Sequence, residues 1–319
     1  MTAFPSRFIR YELQPAFPAA SAPVPALQRL GRSADLLARL APALATRLLW
    51  RLWFTPQSVP PNPRARELLA SVDQRFEVFA GDQGVTVESW GQGPAVLLAH
   101  GWSGYGAQLG SLVRPLVQAG YRVLLFDAPG HGGRPRTQFH LGQYAALIEA
   151  VVQHAGDVRA IVGHSIGATA AAMAINRLGR PIDFVGIAAS ANLKTLLQNF
   201  QQRLGFSDTN AARLRDAFEA FFGADVWSQY SLDFHLPRLA SRVLLVHDAD
   251  DTEAALANSR HLQSLRDDAE LVTTQTLGHN RLLHDAVVVQ RVTRFIARPA
   301  ALPLLQTSPS ASSSVSLAQ

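Results

Sequence analysis

The 319-residue chain contains no cysteine. Disulfides, thiolate metal sites and a cysteine nucleophile are excluded together. Lysine is nearly absent as well: Lys194 is the only one, so the formal net charge of +5 rests on arginine. These arginines are scattered, and without a basic run nothing marks a nucleic-acid partner. No stretch offers about 18 apolar residues free of charge, the length a spanning helix needs. The opening MTAFPSRFIRYELQPAFP lacks the apolar core of a signal peptide. The expectation is a soluble, cytoplasmic protein. Its 48% hydrophobic and 17% charged residues are ordinary for a globular fold with a sizeable core.

Composition divides the chain. Residues 1–25 are rich in proline and alanine, and residues 307–319 (TSPSASSSVSLAQ) are small and polar, so neither end can bury much. Between residues 27 and 54, Leu27, Leu30, Leu37, Leu44 and Leu48 recur at helical spacing among Arg29, Arg32, Arg39, Arg47 and Arg51. The pattern predicts one or two helices, broken near Pro42. Such a segment could lie on a membrane with Trp50, Trp53 and Phe54 as interfacial anchors. Packing against the main domain is preferred, because apolar stripes at this spacing are usually core. PQSVPPNPR, residues 56–64, reads as a linker.

From about residue 74, short β-rich runs alternate with helical patterns, which predicts an α/β fold with a mostly parallel, doubly wound sheet. FEVFA and VTVESW suggest an opening hairpin. AVLLAH (95–100), RVLLFDA (122–128), AIVGH (160–164), FVGIAA (184–189), RVLLVHD (242–248) and ELVTTQT (270–276) follow as candidate strands. Their continuous apolar character suits strands covered on both faces. Helices of ten or more residues are expected after residues 106, 137, 166, 252 and 284. The long interval between FVGIAA and RVLLVHD exceeds a simple crossover and predicts an inserted helical cap at about 191–241. Its aromatics, Phe200, Phe206, Phe218, Phe221, Phe222, Trp227 and Tyr230, either pack the insert onto the sheet or line an apolar pocket. The expected organisation is an N-terminal tail and helical segment (1–63), a main domain (64–306) and a disordered tail (307–319).

Gly163-His164-Ser165-Ile166-Gly167 lies between an apolar strand and an alanine-rich helix. A tight strand-to-helix turn would hold Ser165 in a strained conformation and place it at a helix N-terminus, where developing negative charge is favoured. A helix-capping serine would give the same letters, but the flanking strand and helix favour a nucleophile. A serine hydroxyl needs a base to take its proton. His279, just past the last candidate strand, is best placed among ten histidines, with His284 as the alternative. The base in turn needs an acid to fix its tautomer. Asp248, Asp250 and Asp251 follow RVLLVHD; Asp251 is preferred because its location past the strand end leaves it free to reach a loop, and Asp250 is the alternative. An oxyanion needs two N–H donors. Ile166 supplies one and Trp102, in His100-Gly101-Trp102-Ser103-Gly104, the other.

His100-Gly101-Trp102, Asp127-Ala128-Pro129-Gly130-His131-Gly132, Gly163 to Gly167, His247 to Asp251 and Gly278-His279 together resemble the α/β-hydrolase superfamily, over residues 76–298. The resemblance implies an eight-stranded core, the triad Ser165, Asp251 and His279, and an acyl-enzyme mechanism without metal or organic cofactor. Serine at 165, where dehalogenases and epoxide hydrolases carry aspartate, points to esterases, lipases and thioesterases. Two features depart from the pattern: His247 and Asp248 stand where many members have glycine, and residues before 64 have no counterpart in the common core. The expected partner is a small ester or thioester with an apolar acyl group. A non-catalytic binding protein on the same fold and an acyltransferase are the alternatives.

Overall fold

The computed structural model describes residues 25–298. Most of the expected N-terminal tail and all of 307–319 lie outside the described residues. Two helices open the described residues, α1 (Pro25–Leu40) and α2 (Pro42–Phe54), followed by α3 (Pro63–Ala70). Pro42 occupies the start of α2, where its missing N–H costs nothing but cannot extend α1. Asn62 caps α3, its side chain accepting the Ala65 N–H at 2.8 Å, so the proline-rich linker ends as a helix start.

The strands and helices then alternate. They are β1 (Gln74–Ala80), β2 (Gln83–Trp90), β3 (Ala95–Ala99), α4 (Val113–Gln118), β4 (Arg122–Phe126), α5 (Leu141–Ala155), β5 (Val158–His164), α6 (Ile166–Leu178) and β6 (Asp183–Ile187). Four helices interrupt the rhythm: α7 (Leu193–Leu204), α8 (Asp208–Phe222), α9 (Val226–Gln229) and α10 (Leu232–His235). The chain closes with β7 (Val243–Asp248), α11 (Ala257–Ser264), β8 (Glu270–Thr274), α12 (Gly278–Arg281) and α13 (Ala286–Ala297).

The eight strands form one sheet in the order β1-β2-β4-β3-β5-β6-β7-β8. Only β2 runs against its neighbours; the pairs from β4 to β8 are parallel. Strands β3, β6 and β7 are buried along their whole length because helices cover both faces. Alternation along β3, β5 and β7 divides the side chains between two cores: Leu97, Ile161 and Leu245 face α5 and α6, whereas Leu98, Val162 and Val246 face α4 and α13.

After residue 106 a 3₁₀ turn (Gly106–Leu112) leads into a six-residue helix, α4, rather than one long helix. Gly106, Gly110 and Pro115 break the regular ladder there. As expected, the N-terminal helices pack against the main domain, chiefly on its inserted helices, α1 on α7 and α2 on α8, and Phe54 O accepts the Phe139 N–H at 2.8 Å. Ala34, Leu49 and Phe54 share one core with Leu197, Leu204, Leu214 and Phe218. Trp53 meets the Phe200 ring edge-on at 5.1 Å, and Trp50 meets Phe218 at 5.4 Å. The aromatics available as membrane anchors are therefore spent on cap packing, each burial stabilising by about 2 kcal/mol. Among the described residues, no helix is long and apolar enough to cross a membrane.

Candidate active site

Ser165 stands at the junction of β5 and α6 with φ 52° and ψ −122°. A left-handed φ on a non-glycine residue costs on the order of 1–3 kcal/mol and persists only where surroundings enforce it. Here they do: the Ser165 N–H donates to Ile187 O on β6 at 2.9 Å, and the Ser165 carbonyl accepts the Ala168 N–H. The flanking glycines are sterically required. A Cβ on Gly163 would overlap the Ala168 backbone, and one on Gly167 would strike the carbonyl oxygens of Ala99 and His100. Crowding forces the serine outward, to the N-terminus of α6.

Asp251 lies in the turn after β7. Its Oδ1 accepts the N–H groups of Glu253 (2.8 Å) and Ala254 (2.9 Å), while Oδ2 accepts His279 Nδ1–H at 2.7 Å. Burial would raise this carboxyl, but hydrogen bonds from His247 and His279 outweigh it and hold the group well below the usual carboxylate range. An ionised Asp251 can only accept, so His279 donates from Nδ1, the tautomer in which the neutral ring presents its lone pair on Nε2. His279 does not sit in an open loop, as expected from sequence, but in the one-turn helix α12. The alternatives point elsewhere. Asp250 Oδ2 accepts the Thr276 N–H at 2.7 Å, and His284 Nδ1 bonds Ser111 Oγ at 2.9 Å.

Three residues that sequence reasoning left without a role organise this pair. Asp248, fully buried at the end of β7, accepts from Asp250 N (3.0 Å), Gly278 N (2.9 Å), Leu277 N (3.1 Å) and Thr274 Oγ1 (2.7 Å). One carboxylate thus ties the acid turn to the histidine helix. His247, also fully buried, accepts a hydrogen bond from Ser259 Oγ–H on Nδ1 (2.7 Å) and donates Nε2–H to Ala254 O (2.8 Å), with Asp251 Oδ2 at 3.4 Å. His164 donates Nε2–H to the His279 carbonyl at 3.0 Å, and burial drives its pKa down to about 3, so it stays neutral. The acid at the end of RVLLVHD was the available signal.

The loop after β3 lies against the elbow. A Cβ on Gly101 would come within 2.8 Å of His164 Nδ1 and 3.2 Å of Ser165 Cβ. His100 is buried, donates Nδ1–H to Gly101 O (2.8 Å) and accepts the Ala128 N–H on Nε2 (3.0 Å), which shapes this loop. Burial lowers its pKa to about 4. Ser165, Ile166, Trp102 and His279 all border a single cavity of about 730 Å³. Leu27, Leu52 and Trp53 of the N-terminal hairpin and Leu196, Phe200 and Phe222 of the cap form much of its apolar wall. Phe206 and Trp227 pack inside the cap core, and Phe221 is exposed. Among the described residues, no group of three or more histidines or carboxylates is arranged to hold a metal ion.

A doubly wound sheet with a strained serine elbow and a carboxylate-paired histidine beyond its last strands defines an α/β hydrolase. The alpha/beta hydrolase family matches residues 96–298, and the chain belongs to it. A non-heme haloperoxidase of Rhodococcus erythropolis is 36% identical over 96 residues, 29% of this chain and 35% of the relative. A pimeloyl-[acyl-carrier protein] methyl ester esterase of Aeromonas hydrophila is 32% identical over 110 residues, 33% of this chain and 42% of the relative. The chain therefore matches less than half the length of these curated relatives. An esterase of Pyrococcus furiosus superposes with a TM-score of 0.54 at 17% identity, covering 76% of this chain and 98% of that structure. That likeness carries the fold alone.

Proposed function

We propose that this protein hydrolyses a carboxylic ester or thioester through an acyl-enzyme intermediate, with Ser165 as nucleophile, His279 as general base and Asp251 as the orienting acid. The observation that carries the reading is the 2.7 Å bond from His279 Nδ1 to Asp251 Oδ2 beside a strained Ser165 in one cavity. Ser165 Oγ attacks the substrate carbonyl carbon while its proton passes to His279 Nε2. The tetrahedral oxyanion is met by the backbone N–H groups of Ile166 and Trp102. On collapse the alcohol or thiol leaves with the proton from His279. A water molecule then gives a proton to His279 and attacks the acyl carbon, releasing the acid and regenerating the Ser165 hydroxyl.

The apolar walls contributed by both hairpin and cap support an apolar acyl group as the part of the substrate held farthest from the reacting bond. The name of the esterase relative from Aeromonas hydrophila agrees with ester chemistry. The test is labelling with a fluorophosphonate probe beside Ser165→Ala and His279→Ala, followed by p-nitrophenyl esters of increasing length. Labelling and turnover are expected in the wild type and lost in both variants. Folded wild-type protein that neither labels nor turns over any ester would replace this reading with a binding role.

A further inference from the structure

Among the described residues, the outer face of the α1–α2 hairpin has no partner. Leu36, Leu40 and Leu44 are 63%, 89% and 55% exposed around the bend between the two helices. Arg29, Arg32, Arg39, Arg47 and Arg51 are exposed on the same two helices. None of the five makes an ion pair with a carboxylate among the described residues. The hairpin's sole acid, Asp35, is turned inward, where its carboxylate accepts Ser207 N (3.0 Å), Ser207 Oγ (2.7 Å) and Asn210 Nδ2 (2.7 Å). Five arginines less one aspartate leave +4 on this segment, out of +5 for the whole chain.

We propose that this face docks on an anionic phospholipid surface and that the acyl substrate enters the cavity from there. The second clause rests on the hydrolase reading; the first does not. On α1, Leu36 and Leu40 share a stripe with Arg29, Arg32 and Arg39, opposite Ala34, which faces the cap. Exposed leucines flanked by arginines suit the boundary of a lipid layer: the apolar side chains enter the acyl region, and the guanidinium groups reach the headgroups. A second copy fits poorly, since a two-fold interface would set five arginines against five. A nucleic-acid backbone would match the charge but leave the leucines without an apolar partner. The same hairpin borders the cavity: Leu30 (39% exposed) and Val59 (46% exposed) line its rim, and Leu27 and Leu52 continue inward. An apolar path therefore runs from the docking face toward Ser165.

The experiment is co-sedimentation of the full-length protein with vesicles of phosphatidylcholine containing one-third phosphatidylglycerol, and with phosphatidylcholine alone. Binding is expected to the anionic vesicles and to weaken as salt rises. Arg39→Gln with Arg47→Gln should weaken it by roughly 25-fold, about fivefold per arginine. Leu40→Ser with Leu44→Ser should weaken it by roughly tenfold or more. Both pairs should leave hydrolysis of a soluble short-chain ester unchanged. Ser165→Ala should bind vesicles like the wild type, so failure of the hydrolase reading and failure of docking are read separately. The proposal is overturned if the wild type stays in the supernatant, or if both substituted pairs bind as it does. A concentration-dependent dimer dissolved by the leucine substitutions would likewise overturn it, in favour of a second copy.

Discussion

The Asp248 carboxylate accepts the backbone N–H of Gly278, the residue before His279, at 2.9 Å, across the ends of two neighbouring strands. Both its oxygens are filled by donors from the acid turn and the histidine helix, and these bonds hold the group below the usual carboxylate range against the effect of burial. The His279–Asp251 distance is thereby inherited from a carboxylate that itself touches neither ring nor cavity.

Asp248→Asn replaces one acceptor oxygen with a donor that must face another N–H or O–H. With a 1 Å misplacement able to cost about 10²-fold, kcat should fall by roughly 10- to 100-fold with little change in KM. The unsatisfied donors should cost about 1–3 kcal/mol of stability. Ester kinetics and thermal melts measure the two effects; wild-type kcat in the variant would remove Asp248 from this role.

Asp251 and Asp250 are neighbours with different partners, and they should separate kinetically. Asp251→Asn frees His279 from the tautomer that leaves Nε2 unprotonated, and kcat should fall by about 10⁴-fold. Asp250→Asn touches a bond to Thr276 N and should stay within about threefold. Equal losses in the two variants, measured on a p-nitrophenyl ester with folding checked by circular dichroism, would contradict the assignment.

Gly167→Ala tests the steric account of the elbow. The added methyl meets backbone carbonyls of Ala99 and His100 rather than a side chain that could swing away. Overpacking of this kind should cost about 1–3 kcal/mol, and the displaced turn should slow fluorophosphonate labelling. Wild-type melting and labelling in the variant would refute the account.

Glu88, on β2, predicts a pH effect on stability. Burial, and next the nearby Asp127 charge, raise its pKa from 4.5 to about 7. The folded protein therefore keeps a proton that the unfolded chain has already lost, so this group's contribution to stability falls as pH rises from about 4.5 through 7. Glu88→Gln cannot ionise. Its Tm relative to wild type should climb across that window and level off above it, and a constant difference between pH 4.5 and 8 would sink the prediction.

The family and its serine elbow were legible because both follow from local patterns. Continuous apolar strands alternating with helical repeats dictate a sheet covered on two sides, as Val96 to Leu98 show by feeding both cores in turn. Gly163 and Gly167 likewise announce a turn too tight for side chains two residues either side of Ser165. Leu27 to Phe54 announced helices by their spacing, yet spacing names no partner. Whether that stripe met the sheet, the cap or a membrane depended on which other apolar surface lacked a cover, and α7 and α8 were that surface. Asp248 and His247 were equally opaque in sequence. Their roles arise from donors contributed by residues far along the chain, Thr274 to Gly278 for one and Ala254 with Ser259 for the other. Sequence by itself determined the periodicities, the turn chemistry and the order of the motifs, because each is enforced by neighbours along the chain. Only the tertiary structure decided which carboxylate meets His279, what covers the N-terminal helices and where the cavity opens, because those follow from the packing of surfaces that no local rule pairs.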